Sequence, residues 1–377
     1  MQAYAALGLA ALAIFIWSAW LRPIGARTGP TPVALDDGWA RSTPAAEGLD
    51  DRELLDAMQR LLDRRLNVHA VLVERHGRLV ADAYQGGRDR SVYSLLSVRQ
   101  EFGPATIHDV RSVGKSVTSL LYGIALAEGN APDPATFVGD AFPQLKGAAS
   151  ANERRIRVRH LLDVTSGLSW KGGGIGINDE LRLFWKQDLP GYVLDRPMAV
   201  EPGTTFNYSG GCTALLAQII TDSTGLPIDE FANARLFTPL GIRSWEWVRD
   251  LHGRPMAFNG LRLRPRDLLK FGRLVLADGR WNGRQLVTAK WLRDSWAPGL
   301  ATDVADFRYH GHWWSGTTMW EGRRVAWDAA FGNGGQRLFV IPERDLAIVT
   351  AAGAYDEVPT GVAVNRFVQE VVAAVRN

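Results

Sequence analysis

The period of the hydrophobic positions changes several times along this chain, and each change marks an element. Ala3 to Leu21 is apolar throughout except for Ser18, a run just long enough to span a membrane as a helix. Residues 28 to 48 (TGPTPVALDDGWARSTPAAEG) carry Pro, Gly, Thr and Ala without periodicity and predict a linker. Between Asp50 and Arg65 the spacing of Leu54, Leu55, Met58, Leu61 and Leu62 is helical. Residues 69 to 73 and 78 to 84 predict two short strands around a His76-Gly77 turn. Ser112 opens a helix whose apolar face includes Val117, Leu120, Leu121 and Ile124, and Gly129-Asn130 closes it.

From residue 130 to about 240 the pattern is helical pieces joined by Gly/Pro turns, with low strand character. Examples are 158 to 164, stopped at Ser166-Gly167, and 212 to 222, stopped by Gly225. Helices follow at 266 to 276 and 291 to 296, strands at 324 to 326, 337 to 341 and 346 to 351, and a last helix at 360 to 375. Strands thus lie toward both ends, with a helical block between them. This predicts an α+β fold with an inserted helical subdomain over about 130–240, the two meeting at a cleft.

With 377 residues and 46% hydrophobic content the chain can bury a large core. A net charge of +3 with both signs interspersed, and no dense basic stripe, argues against nucleic acid as a partner. The single cysteine, Cys212, excludes an intrachain disulfide. No Cys/His spacing matches a zinc site, and His310-Gly311-His312 lacks a third ligand nearby in sequence, so no metal site is read. Gly172-Gly173-Gly174-Ile175-Gly176 has no following Lys-Ser/Thr and reads as a flexible loop rather than a phosphate cradle. No Gly-x-Ser-x-Gly elbow is present. The apolar N-terminal run makes residues 1–27 a membrane anchor or a signal segment, with 28–48 as linker and 49–377 as the folded domain. Arg22 and Arg27 follow the run and no basic residue precedes it, so the positive-inside rule would hold the domain in the cytoplasm.

Lysine occurs only at 115, 146, 171, 186, 270 and 290, which makes Ser112-Val113-Gly114-Lys115 informative. Residues three apart share a helix face, so Lys115 can reach the Ser112 hydroxyl. Burial of such a lysine favours a neutral amine able to take the hydroxyl proton. Two further segments bear chemistry. Pro202 to Gly210 (PGTTFNYSG) sets Tyr208-Ser209 just before a helix, where a phenol can relay a proton into a cleft. Ala330 to Gln336 (AFGNGGQ) is a glycine-bearing turn before a strand, where a backbone N–H can serve as an oxyanion donor. Trp170, Trp185, Trp313 and Trp314 are candidates for an aromatic pocket wall.

Taken in this order, the Ser-x-x-Lys, Tyr-centred and Gly-bearing motifs resemble those of the serine β-lactamase and penicillin-binding-protein superfamily. The similarity is to its class C-like branch, with family VIII carboxylesterases and 6-aminohexanoate-dimer hydrolases. It extends over about residues 48 to 375, through RHLLDVTSGL (159 to 168), EPGTTFNYSGG (201 to 211), LFTPLGI (236 to 242), GLRLRPRDLLKFGRLVLADGRWNGRQLV (260 to 287) and GNGGQRLFVIPERDLAIV (332 to 349). The resemblance implies an antiparallel sheet flanked by helices and a cofactor-free serine hydrolase that cleaves a small ester or amide through an acyl-serine. It implies Ser112 as nucleophile, Lys115 as base, Tyr208 as relay, and the Ser112 and Asn333 amides as the oxyanion hole. Trp170, Ser209, Gly332, Trp313 and Trp314 would line the substrate pocket. Two positions depart from the pattern. Gly210 stands where the second motif often has Asn, and Ala330 stands in the slot of the third-motif lysine of true β-lactamases. Both favour the esterase and amidase branch. The alternatives are a D-alanyl-peptide hydrolase or weak β-lactamase, and an acyl-binding sensor that does not turn over. For the anchored domain, the resemblance implies a periplasmic or extracytoplasmic side, against the charge rule.

Overall fold

Val68–Arg75 and Leu346–Ala352 are buried at every position, a pattern that a strand sustains only in the middle of a sheet covered on both faces. The computed structural model describes residues 27–28, 31–94, 96–142, 150–172, 178–297, 299–304 and 306–376. Among them, ten strands form one sheet. Its spatial order is Arg27–Thr28, Arg78–Tyr84, Val68–Arg75, Leu346–Ala352, Gln336–Ile341, Arg323–Gly332, Trp313–Trp320, Arg308–His310 and Leu300–Ala301, with Ala40–Arg41 paired parallel to Arg78–Tyr84. Every other pairing is antiparallel. The N- and C-terminal strands meet at the centre, where Val71 faces Thr350 and Val73 faces Ile348.

The alternation of side chains divides this sheet into two cores. Val71, Val73, Phe339, Ile341 and Ile348 pack on the helices Asp51–Leu61 and Val358–Ala373. Ala70, Leu72, Leu338, Val340 and Val349 face the opposite way, toward the helices Pro265–Leu276, Val113–Ala127 and Gly210–Thr224. Each fully buried Leu, Ile, Val or Phe here contributes about 1.5–3 kcal/mol of transfer free energy. On each face a helix carries an expected boundary. Asp50 accepts the Glu53 N–H as N-cap, and Gly225 ends Gly210–Thr224 at φ 72°. Between residues 130 and 240 the described elements are helices, several packed around Gly210–Thr224.

Three features differ from the sequence reading. The strands Arg308–His310 and Trp313–Trp320 lack a clean apolar alternation: the second exposes Met319 and half-buries Trp314 and Ser315. Trp313–Trp320 forms through pairing with Arg323–Gly332, and Arg308–His310 through pairing with Trp313–Trp320. The expected linker is fastened to the domain: Thr28 pairs with Ala83 in the sheet, and the Val33 carbonyl accepts from Arg266 Nη2 at 2.8 Å. Arg266, almost wholly buried, pairs with Asp37 at 3.0 Å and with Asp82, and Trp39 Nε1 donates to the Arg266 carbonyl at 3.0 Å. The expected membrane-anchored localisation is corrected as well. No helix among the described residues is long and apolar enough to cross a membrane. The 16 residues of Val358–Ala373 span about 24 Å against a hydrocarbon core of about 30 Å, and the Ala3 to Leu21 run lies outside the described residues.

Helix Val113–Ala127 is seated by glycine. A Cβ on Gly123 would lie 2.2 Å from Trp291 Cδ1, and Trp291 is held there by its indole N–H on the Ser119 carbonyl at 3.0 Å. Gly123→Ala gains about 1 kcal/mol of helix propensity but must displace the indole, an overpacking cost of about 1–3 kcal/mol. Because a 2.2 Å approach is far below contact, the upper part of that cost, about 2–3 kcal/mol, applies, and a net destabilisation of about 1–2 kcal/mol is expected. Urea unfolding of the variant checks it, and an unchanged or raised stability would show that the indole moves freely.

Candidate active site

Ser112 is the N-cap of Val113–Ala127, with φ −65° and ψ −5°, and its hydroxyl makes no capping bond. The residue before it, Arg111, has φ 52°, a left-handed conformation that costs a non-glycine residue free energy and needs its surroundings to hold it. Those surroundings are present. The Arg111 guanidinium donates to the Arg90 carbonyl, pairs with Asp109 at 3.5 Å and lies 4.1 Å from the Tyr355 ring centre. Val110 N–H donates to the Leu261 carbonyl at 3.0 Å.

Lys115 follows one turn later and is 1% exposed. Its Nζ lies 3.2 Å from Ser112 Oγ and donates to the Phe258 carbonyl at 3.1 Å. Gly114 permits this second contact, since a Cβ there would meet the Ala257 carbonyl oxygen at 2.7 Å. Tyr208 sits at the end of the extended stretch before Gly210–Thr224, and Lys115 Nζ is 4.7 Å from its ring centre. The Tyr208 ring packs edge-on against Tyr309 and tilted against Trp314.

The turn between Arg323–Gly332 and Gln336–Ile341 closes the site. A Cβ on Gly332 would lie 2.3 Å from the Val110 carbonyl oxygen and 3.1 Å from Arg111 Cβ, so only glycine lets this turn approach the segment leading into Ser112. Ser112, Tyr208, Trp314, Gly332 and Asn333 then line one cleft of about 410 Å³. The rest of its wall is apolar at Val304, Phe307, Phe331, Val358 and Val362, and polar at Arg337, Glu357 and Asn365.

Other expected pocket residues lie elsewhere. Trp313 is buried in the core against Trp296; successive residues of a strand point to opposite faces, so only Trp314 reaches the cleft. Trp170 is buried against Gly211 and Tyr192. Ser209 caps Gly210–Thr224 by accepting the Cys212 N–H. Ala330 is wholly buried in the core rather than facing the cleft. Gly210 donates its N–H to Glu180 at 2.6 Å, and a Cβ there would collide with that carboxylate; Glu180 thus occupies the space beside the slot where the family pattern has an amide. Of the glycine-rich loop, residues 173–177 lie outside the described residues. Phe258 and Phe307 carried no local signal in the sequence, because their neighbours give no motif; the glycine in Ser-x-Gly-Lys was the only hint of a backbone pressed against this turn.

The His310/His312 pair splits. His310 is held above its usual range by its hydrogen bond to Asp163 at 3.0 Å. His312 is wholly buried, its Nε2 3.1 Å from Thr213 Oγ1; burial, then the nearby Lys115 charge, hold its pKa down to about 3. Ser116, on the same helix as Lys115, donates to the His312 carbonyl at 2.6 Å. Cys212 is buried, and burial raises its thiol pKa, which leaves it unreactive.

Residues 54–373 match the family model described as Beta-lactamase. The chain is 30% identical over 223 residues to Esterase EstB of Burkholderia gladioli, a match that spans about half of either chain, 54% of each. It is 25% identical over 307 residues to a 6-aminohexanoate-dimer hydrolase of Paenarthrobacter ureafaciens, covering 76% of this chain and 74% of that one. A solved β-lactamase/D-alanine carboxypeptidase of Pseudomonas syringae superposes with TM-score 0.64 at 18% identity, covering 85% of this chain and 98% of that one, a likeness of fold.

His312 generates a pH prediction. Its folded pKa of about 3 lies below the ordinary 6.5, so its contribution is complete above about pH 6.5 and is lost as pH falls toward 3. The unfolding free energy of the wild type minus that of His312→Gln should fall by about 1 kcal/mol between about pH 7.5 and about pH 5.5, approaching about 1.4 kcal/mol per unit below that. Buried Glu74 and Asp328, both raised to about 7 by burial, act in the opposite sense but cancel in the difference. Parallel curves in urea titrations at the two pH values would show that His312 protonates freely in the folded state.

Proposed function

Since the chain belongs to the Beta-lactamase family, matched over residues 54–373, a family of serine hydrolases, we propose that it cleaves a small ester or amide through an acyl-serine intermediate. The observation that carries this reading is the buried Lys115 Nζ 3.2 Å from Ser112 Oγ at the cleft. In this reading Ser112 Oγ attacks the carbonyl carbon while Lys115 takes the hydroxyl proton. The carbonyl oxygen becomes an oxyanion received by the Ser112 and Asn333 amides. Tyr208 passes the proton to the departing alcohol or amine, and water then attacks the acyl-serine with the same groups acting in reverse. The folded domain, in this proposal, begins well before residue 49, because Arg27–Thr28 pairs in the sheet and Asp37 and Trp39 are fastened to it.

The substrate class follows from the wall. Phe307, Phe331, Trp314 and Val358 are apolar, and the third-motif position with the cleft-facing side chain is Phe331 rather than a cation. A neutral acyl group therefore suits the cleft, in keeping with the names of the esterase and the 6-aminohexanoate-dimer hydrolase among the relatives. Arg337 supports a second reading, a substrate with a carboxylate, because its side chain lines the cleft. Against it, Arg337 Nη1 already donates to the Gly332 and Gln336 carbonyls.

Ser112→Ala should abolish labelling by a fluorophosphonate and nearly all hydrolysis, and mass spectrometry of the labelled wild type should place the adduct on Ser112. An adduct elsewhere refutes the assignment. Lys115→Ala and Tyr208→Phe should each lower kcat by about 100-fold or more, and the double variant should lose far less than the product, because the two groups act as a unit. Strict additivity would mean they share no proton path. A third measurement concerns the substrate. The kcat/KM for p-nitrophenyl butyrate should exceed that for a chromogenic cephalosporin by about a hundredfold. Comparable values would mean that Arg337 serves the carboxylate.

A further inference from the structure

Away from the cleft, three side chains far apart in sequence converge inside the protein. His69 lies on the central strand Val68–Arg75, Asp89 on Gly87–Asp89, and His108 on His108–Asp109. All three are buried, and one potential ligand atom of each lies within 4.8 Å of the others. His69 Nδ1 and His108 Nε2 are 2.9 Å apart.

The partners of the outer nitrogens decide where the imidazole protons sit. His69 Nε2 faces Asn67 Oδ1 at 3.1 Å. The Asn67 amide has one possible orientation, because its Nδ2 donates to the Arg88 carbonyl at 2.8 Å and its Oδ1 accepts the Arg88 N–H at 3.0 Å. Asn67 Oδ1 can only accept, so His69 Nε2 carries the proton. His108 Nδ1 faces the Asp109 carbonyl at 3.0 Å, which also can only accept, so that nitrogen carries the proton of His108. In the neutral rings the two inner nitrogens therefore both present lone pairs to one point. Two lone pairs at hydrogen-bond distance repel unless a cation lies between them.

We propose that His69 Nδ1, His108 Nε2 and the Asp89 carboxylate hold a divalent transition metal of the zinc class, with the Asn67 amide oxygen and the Asp109 carbonyl as the outer partners that orient the two rings. Two imidazoles and one carboxylate are a ligand set that such ions take, and each ring donating its second N–H to an oxygen is the usual support of a histidine ligand. Ligand distances of about 2.0–2.1 Å put two nitrogens about 2.9 Å apart at a right angle and about 3.3 Å apart in a tetrahedron, so the rings need to part by only about 0.4 Å. Phe102 stacks on His69 at 4.1 Å between ring centres and shields the site. The Asp89 carboxylate is steadied by the Tyr355 hydroxyl at 2.5 Å. The ion joins the central strand to the chain entering the Ser112 helix, because the next residue, Asp109, accepts from Arg262 at 2.6 Å and Val92 N–H at 2.7 Å and pairs with Arg111. Its role is to fasten that entry segment, separate from the hydrolytic chemistry.

The test uses the full chain, purified without a histidine tag and stripped by a chelator. Titration with Zn2+ followed by calorimetry should give one ion per chain, and Co2+ should produce the visible d–d absorption of a low-coordinate nitrogen/oxygen site. Zn2+ should raise the Tm of the wild type. Asp89→Asn, which keeps an acceptor for Tyr355, should bind Zn2+ about 10- to 100-fold more weakly, and His108→Gln should lose the Co2+ bands. Circular dichroism of each variant reports folding; if either fails to fold, the wild-type titration decides alone. Absence of stoichiometric Zn2+ binding by folded wild-type protein would overturn the proposal, as would Co2+ bands that survive in folded His108→Gln. Activity toward esters is not the readout, so failure here leaves the hydrolase reading untouched, and failure of that reading leaves this one standing.

Discussion

The first turn of the helix Val113–Ala127 and the segment leading into it are each pressed against another piece of backbone, and the rest of the site depends on that closeness. At the first turn the Ala257 carbonyl sits where a side chain on Gly114 would be, and in the segment before it the Val110 carbonyl sits where one on Gly332 would be. The first approach brings the Phe258 carbonyl to Lys115 and directs its Nζ at Ser112 Oγ. The second brings the Asn333 turn alongside Ser112. Protein interiors are packed too densely for such spacing to drift, so the positions of nucleophile, lysine and turn are coupled through two glycines.

Backbone strain at Arg111 is part of the same arrangement. Its positive φ swings the chain from the His108–Asp109 strand into the helix within a few residues. The guanidinium is anchored to Arg90, Asp109 and Tyr355, and Asp109 is in turn bonded to Arg262 and to the Val92 amide. A conformation costing of the order of 1–3 kcal/mol persists when its neighbours over-determine it. The His69–His108 pair lies one residue beyond this network, which links the middle of the sheet to the residue that precedes Ser112.

Buried charge elsewhere has a different use. Arg266 between Asp37 and Asp82, and Lys270 beside Asp267 at 2.9 Å, are shut away from solvent. Desolvation cancels much of the attraction in such groups, so they are weak sources of net stability, while loss of one partner is strongly destabilising. Their effect is positional. They hold the segment around Asp37 and the helix Pro265–Leu276 in one register against the sheet.

Local pattern alone determined the hairpin at 69–84, the strands at 337–341 and 346–351, the presence of the helices read at 50–65, from Ser112 to Gly129, at 212–222, 266–276 and 360–375, and hence an α+β chain with a helical middle. In each, apolar period and end residues such as Asp50, Gly129 and Gly225 act within a few residues of one another, so the signal is written where the element forms. The same holds for Ser112 and Lys115, one helical turn apart. Tertiary structure decided what depends on pairing between distant segments. The strand Trp313–Trp320 exists because Arg323–Gly332 offers it hydrogen bonds, and the pleat then sends Trp314 to the cleft and Trp313 to the core. Phe258, Arg337 and Phe307 reach the site from separate loops and strands. His69, Asp89 and His108 share no spacing, and only the central position of Val68–Arg75 in the sheet brings their ligand atoms together.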